Sequence, residues 1–323
     1  PDLEKPFFIV YNLRNQYSYS LSSERGEITT TTKTPVNNKS VSVKLRVGDY
    51  HRNFDYMMYD GYTVSLPDEN DADEYRRLLW LETDRAYKNN ARQYNSYISS
   101  LKRVNVDEKE LALDDLSKVP IVVKDFGAVQ PVNINTGKWE QDLRTLSGLF
   151  KGHSNITTSY CGLVVNNYED YIVSSEGAVI RKPGGYITFT AFGATSDEEG
   201  NNYSSNYSVT VKNGDELPDF ETLRKHVAAL IEKISQKQQA KAFEGSYMGP
   251  VLFSGNAVSD IIYQCFTSPL QAKRKSILGY NSGETNYEEK LGQKLVSADL
   301  TVSAIPSLKT INGKNTTGYF QRD

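Results

Sequence analysis

The sequence predicts an α+β fold, with antiparallel sheets and long packed helices in the first three quarters of the chain. Three observations carry this. Val41, Val43, Leu45 and Val47 alternate strictly with Ser42, Lys44 and Arg46, which is the pattern of a strand with one wet face. Leu223, Val227, Leu230, Ile231 and Ile234 fall at helical spacing behind Asp219, a capping residue. Strand-like runs recur on both sides of helical ones, so sheets and helices are intermixed along the chain.

Taken in order, Phe7 to Leu13 and Tyr17 to Ser23 read as two strands. Glu24-Arg25-Gly26-Glu27 is a turn, and Ile28 to Lys33 is a Thr-rich strand. A helix opens at Pro67-Asp68, with acids in its first turns where the helix dipole favours them. Tyr75, Leu78, Leu79, Ala86, Tyr94, Tyr97, Ile98 and Leu101 give it an apolar side, and it ends near Arg103. VNVDEKELALDDLSKVP is a polar connector. Trp139, Leu143, Leu146, Leu149 and Phe150 predict a second helix. Strands follow at Ile156 to Val165, Tyr168 to Ser174, Tyr186 to Gly193 and Tyr203 to Val211, with turns at Glu176-Gly177 and Pro183-Gly184-Gly185. Residues 1–245 thus divide into two sheet-plus-helix blocks, about 1–105 and 118–245. Residues 246–323 read as the beginning of a β-rich C-terminal domain, with β-like runs at Pro250 to Phe253 and Leu291 to Ile305.

Bulk properties exclude several classes. The net charge of -3 and pI near 5.8 argue against nucleic-acid binding, which calls for a basic stripe. No apolar run approaches the roughly 20 residues of a membrane-spanning helix. Abundant Tyr, with Asn and Ser in the loops, favours an extracytoplasmic setting, periplasmic or secreted, over a cytoplasmic one. The sequons at Asn38, Asn155, Asn202, Asn206 and Asn315 are chance products of those loops. The chain begins PDLEKPFF without a Met, which places a leader or other residues before it.

Candidate chemistry is sparse. His51, His153 and His226 share no ligand spacing, so they predict no metal site. Cys161 and Cys265 both read as small buried hydrophobes rather than reactive thiolates. No serine elbow and no phosphate-cradling glycine motif is present. The remaining candidate is GPVLFSGNAVSDIIYQCFTSPL, Gly249 to Leu270, a predicted strand, turn and helix. Asn256 reads as its cap, and Val258, Ile261, Ile262, Cys265 and Phe266 form an apolar stripe that predicts a core helix.

Six stretches carry a family resemblance: PFFIVYNLRNQYSYSLSSERGEITT, VSVKLRVGDY, YRRLLWLETDRAYKNNARQ, YIVSSEGAVIR, GPVLFSGNAVSDII and KLGQKLVSADLTV. In type and order they resemble the TldD/PmbA family, historically called modulators of DNA gyrase and associated with peptide maturation and proteolysis. The resemblance implies a β-rich C-terminal domain that continues beyond Asp323. It also implies zinc in the active members, held by an H-E-x-x-x-H motif on the helix after the GPVLF-like strand. In that motif the two His ligate the metal and the Glu serves as general base. Laid on this chain, the motif falls on Tyr263-Gln264-Cys265-Phe266-Thr267-Ser268. Tyr263, Gln264 and Ser268 replace its two His and its Glu, so no catalytic residue, metal or cofactor is expected here.

Three readings follow. The chain is a PmbA/TldE-type member without catalysis, in a homo- or hetero-oligomer with a TldD-like homologous subunit that processes peptides. Or it is an active zinc peptidase with ligands outside this segment. Or it is an extracytoplasmic binding protein that keeps only the family architecture.

Overall fold

The computed structural model describes residues 4–32, 36–53, 63–69, 71–118, 120–128, 130–241, 245–267, 269–271, 277–278, 287–303, 305, 308, 310–311 and 313–315. In chain order the elements are β1 (Pro6–Glu24), β2 (Glu27–Thr31), β3 (Val36–Val47), β4 (Thr63–Leu66), α1 (Ala72–Leu101), α2 (Glu108–Leu111), β5 (Val123–Asp125), α3 (Thr136–Gly148), β6 (Thr158–Ser174), β7 (Val179–Ser196), β8 (Asn202–Val211), α4 (Phe220–Gln239), α5 (Asn256–Ile262), β9 (Thr310–Ile311) and β10 (Lys314–Asn315).

Strands β1 to β8 form one sheet in the order β4-β3-β1-β6-β7-β5, with β2 against β1 and β8 against β7. All of its pairings are antiparallel except β5 with β7. The two sheet-plus-helix runs of the sequence therefore feed a single sheet. β1 joins them, pairing with β3 on one side and β6 on the other.

Side chains opposite one another across a ladder share a face. Val43 lies opposite Tyr11, Leu21 opposite Leu163, and Leu163 opposite Phe189. These residues all face the helices. At one end Val43, Leu45 and Val47 pack with Ala86 and Ala91 of α1. At the other, Leu21, Cys161, Leu163, Val165, Ile187, Phe189 and Ala191 meet Leu143, Leu146 and Phe150 from α3 and its exit turn, and Leu223, Val227, Leu230, Ile231 and Ile234 of α4. The α4 stripe is buried as its spacing predicted.

The opposite face carries no helix among the described residues and mixes apolar side chains, such as Tyr160, Val164 and Phe192, with polar ones. Arg14 holds Asp170 through two bonds, 2.6 Å and 2.8 Å, while its guanidinium lies 5.0 Å from the Tyr168 ring centre. The Asp170 carboxylate raises the Arg14 pKa above its ordinary value. Gln16 donates to Asn166 at 2.8 Å. These contacts explain why β1 runs unbroken through Arg14-Asn15-Gln16, where the sequence predicted a gap between two strands. The same holds for β6, predicted as two strands and found as one.

Pro183-Gly184-Gly185, predicted as a turn, lies inside β7. β5 flanks β7 over Val179 to Arg181 and β8 flanks it from Ile187, so Pro183 falls in the stretch between them. The glycines admit close neighbours on both faces. A Cβ on Gly184 would stand 2.6 Å from the Tyr168 ring, and one on Gly185 would stand 2.7 Å from Asn167 Oδ1. The turn at Glu24 to Glu27 is as predicted. Arg25 and Gly26 both take positive φ, 45° and 82°, as a two-residue hairpin loop requires.

Helix boundaries differ slightly from the prediction. α1 starts at Ala72, not at Pro67-Asp68, because the Asp71 side chain accepts from the Asp73 and Glu74 amides. The polar connector contains the single turn α2, capped by Asp107. No helix among the described residues is long and apolar enough to cross a membrane.

Candidate functional site

The segment after Gly245 is where the sequence placed its candidate chemistry, and the structure corrects several expectations there. Pro250 to Phe253 is irregular backbone, not a strand. Among the described residues nothing pairs with it, and an extended segment without a ladder partner is not a stable strand. Its side chains are bare, Leu252 at 94% exposure. Gly255, with φ 60°, precedes the first helical residue, and Asn256, the predicted cap, is already inside α5.

The apolar stripe does not make a core helix. Val258 and Ile262 are 42% and 40% exposed, and Ile261 and Phe266 are half-buried. Cys265, predicted as buried, is exposed. A stripe at helical spacing records that a helix has an apolar side. It does not supply the surface that covers it, and the described residues supply none.

After α5 the chain widens into a π turn, Tyr263–Thr267, followed by a tighter 3-10 turn at Pro269–Gln271. This geometry bears on the H-E-x-x-x-H spacing. In an α-helix two side chains five residues apart diverge by roughly 140°. A π turn, closed by i→i+5 bonds, carries that spacing toward one side. Tyr263 lies on the π turn at 65% exposure, with Gln264 exposed beside it. Ser268 lies outside the described residues. Zinc takes imidazole, thiolate or carboxylate donors, and the side chains at 263 and 264 are a phenol and a primary amide. They do not fit the metal.

The other titratable candidates are dispersed. His51 Nδ1 lies 2.8 Å from Asp114 Oδ1. His153 ends the turn after α3, and its backbone amide bonds the Phe150 carbonyl at 3.1 Å. The His226 ring stacks on Tyr207, centroids 4.1 Å apart. Among the described residues no group of three or more His, Cys, Asp or Glu is placed to hold a metal ion. Cys161 is buried as predicted, and burial pushes its thiol up to about 12.

A charged cluster on β5, β6 and β7 escaped the sequence reading. Arg181 bonds Glu169 at 2.5 Å and Asp125 at 3.2 Å. Its members lie 12 and 56 residues apart in the chain, so only the ladder reveals them.

No family model matches the chain, and no curated protein matches it. Solved structures do. The chain is similar to a proposed modulator of a DNA gyrase from Thermotoga maritima, at 9% identity and TM-score 0.38, over 70% of this chain and 44% of that one. It is similar to TldE from Thermococcus kodakarensis, at 11% identity and TM-score 0.39, over 71% and 44%. It is also similar to a proposed modulator of DNA gyrase from Bacteroides thetaiotaomicron, at 13% identity and TM-score 0.42, over 73% and 47%. The chain spans less than half the length of each of these structures.

Proposed function

We propose that this chain is part of a TldD/PmbA-family protein of the non-catalytic PmbA/TldE type. It works as the partner of a motif-bearing TldD-like subunit in peptide maturation or proteolysis. The observation that carries this reading is the chemistry of the helix after GPVLF: Tyr263, Gln264 and Ser268 stand where a zinc peptidase needs His, Glu and His. A tyrosine phenol is a weak zinc donor beside an imidazole. The Gln264 amide cannot accept a proton as a general base. The Ser268 hydroxyl is a weak zinc donor. Losing both imidazoles and the carboxylate together removes metal and base at once.

The test is metal analysis of the full-length protein, combined with hydrolysis of a fluorogenic peptide library. The expected outcome is no stoichiometric zinc and no turnover by the protein alone, with turnover appearing on addition of a homologue that keeps H-E-x-x-x-H. Stoichiometric zinc with chelator-sensitive turnover in the isolated protein would refute the proposal in favour of an active peptidase with ligands elsewhere.

A further inference from the structure

One rim of the sheet is built unlike the others. The edge strands β2, β4 and β5 hold five, four and three residues. β8 runs for ten, NYSSNYSVTV, with no charge, no proline and no bulge against β7. Short length, charges, prolines and bulges are the devices by which sheets keep other chains off an edge. β8 uses none of them, and among the described residues no strand lies on its outer side.

The register tells which backbone groups point outward. The Ala194 carbonyl accepts from the Thr157 amide at 2.9 Å, on the β6 side, so Ala194 turns away from β8. Its ladder partner Ser204 then turns its own N–H and C=O away from β7, and the alternation repeats at Asn206, Ser208 and Thr210. The Ser204 carbonyl is met from α4, where Lys237 Nζ donates to it at 2.6 Å. That contact closes one end of the edge and leaves Asn206 to Thr210 open.

α4 runs alongside. His226 stacks on Tyr207 with an interplanar angle of 10°, and Lys237, further along the helix, reaches back to Ser204. Helix and strand are therefore antiparallel. Lys233 lies two turns after His226 and one turn before Lys237, on the same flank. The acids of α4, Glu221 and Glu232, fall off this flank by helical spacing. The result is a slot with a row of backbone donors and acceptors on one wall and a basic helix flank on the other.

We propose that the β8 edge beside α4 is a docking site for an acidic peptide in extended conformation, which joins the sheet as an added strand. Its backbone bonds Asn206, Ser208 and Thr210, and every second side chain, Asp or Glu, turns toward His226, Lys233 and Lys237. Charge argues against a second copy of this chain as the occupant. Two-fold pairing of β8 with itself would bring two α4 flanks together on one side of the sheet, lysines against lysines. The inference stands on the sheet alone and does not depend on residues 263 to 268.

The probe is a fluorescein-labelled peptide of about eight residues alternating Glu and Val, followed by anisotropy at low salt. Saturable binding is expected, weakened about tenfold or more by the Lys233→Glu/Lys237→Glu variant and by high salt. It should be lost when alternate peptide nitrogens are methylated, a control that requires no change to the protein. Circular dichroism verifies that the double variant keeps its fold. Absence of binding, equal binding of the methylated peptide, or indifference to the lysine reversals would overturn the proposal. So would light scattering that shows a dimer which Ser208→Pro converts to monomer, since a second copy would then fill the edge.

Discussion

Replacing Ser147 by alanine breaks a chain of hydrogen bonds in its middle. The Gly26 amide donates to Ser147 Oγ at 2.8 Å. Ser147 lies 2.7 Å from Ser23 Oγ, and Ser23 in turn donates to the Glu27 carbonyl at 2.9 Å. The order of donors is therefore Gly26 N–H, Ser147 O–H, Ser23 O–H, ending on Glu27. This relay ties the β1–β2 hairpin loop to the last turn of α3, and both serines are fully buried. In Ser147→Ala, Ser23 keeps Glu27, but the Gly26 amide loses its acceptor. Each lost bond contributes about 1 kcal/mol, and an orphaned amide adds up to about 1–3 kcal/mol if water cannot reach it. Gly26 is half-buried, which holds the total to about 2 kcal/mol. Urea denaturation followed by circular dichroism should show the midpoint fall by about 1 M with an unchanged slope. Ser23→Ala leaves the Gly26–Ser147 bond in place but breaks the other two links, Ser147–Ser23 and Ser23–Glu27, and should cost a comparable amount, about 2 kcal/mol. A Ser147→Ala variant within about 0.5 kcal/mol of the parent would refute the relay.

Other expectations rest on single features. Ile234→Ala empties a fully buried position between α4 and the sheet and should destabilise by about 2–5 kcal/mol in the same titration. Gly184→Ala drives a Cβ into the Tyr168 ring and should cost about 1–3 kcal/mol, part of it regained when Tyr168→Ala is added. A thiol reagent at neutral pH should label Cys265 in the folded protein and reach Cys161 only after denaturation, as mass spectrometry of the peptides would show. The raised pKa of Cys161 also has a stability sign. Its contribution is complete below the free-thiol value of about 8.5 and is lost as pH rises toward about 12. Relative to a Cys161→Ala reference, the parent should lose stability between neutral and strongly alkaline pH. A flat difference would count against a buried, neutral thiol.

Periodicity made the covered side of the fold legible. The α4 stripe and the β3 alternation were read correctly because one buried face leaves a regular mark on the sequence. What lay on the open face was misread. Arg14-Asn15-Gln16 looked like a break because its partners, Asp170 and Asn166, come from β6. Pro183-Gly184-Gly185 looked like a turn because the crowding that requires glycine comes from Tyr168 and Asn167 on the neighbouring strand. In the candidate site the identities of Tyr263 and Gln264 were legible, whereas the π turn that presents them was not. Nor was the bareness of Val258 and Ile262, since a stripe does not announce what covers it. The β8 slot was invisible for a related reason. An uncharged strand and a basic helix flank acquire meaning only once register places one beside the other.

β1 has a consequence for how the chain comes into being. β1 is an interior strand of the finished sheet, and one of its partners is made long afterwards. Arg14 waits for Asp170 across 156 residues, and Ile9 for Ser175 across 166. The nascent chain can close β1 with β2 and β3 early, but the flank that receives β6 stays open while α1, the connector and α3 are synthesised. Loop entropy adds only slowly with such length, yet pairings this remote are the slow ones, and an exposed strand edge is sticky while it waits. The Ser, Asn and Arg side chains along β1 thus serve the growing chain before they serve the folded one. They keep a nineteen-residue strand soluble until the far half of its sheet arrives.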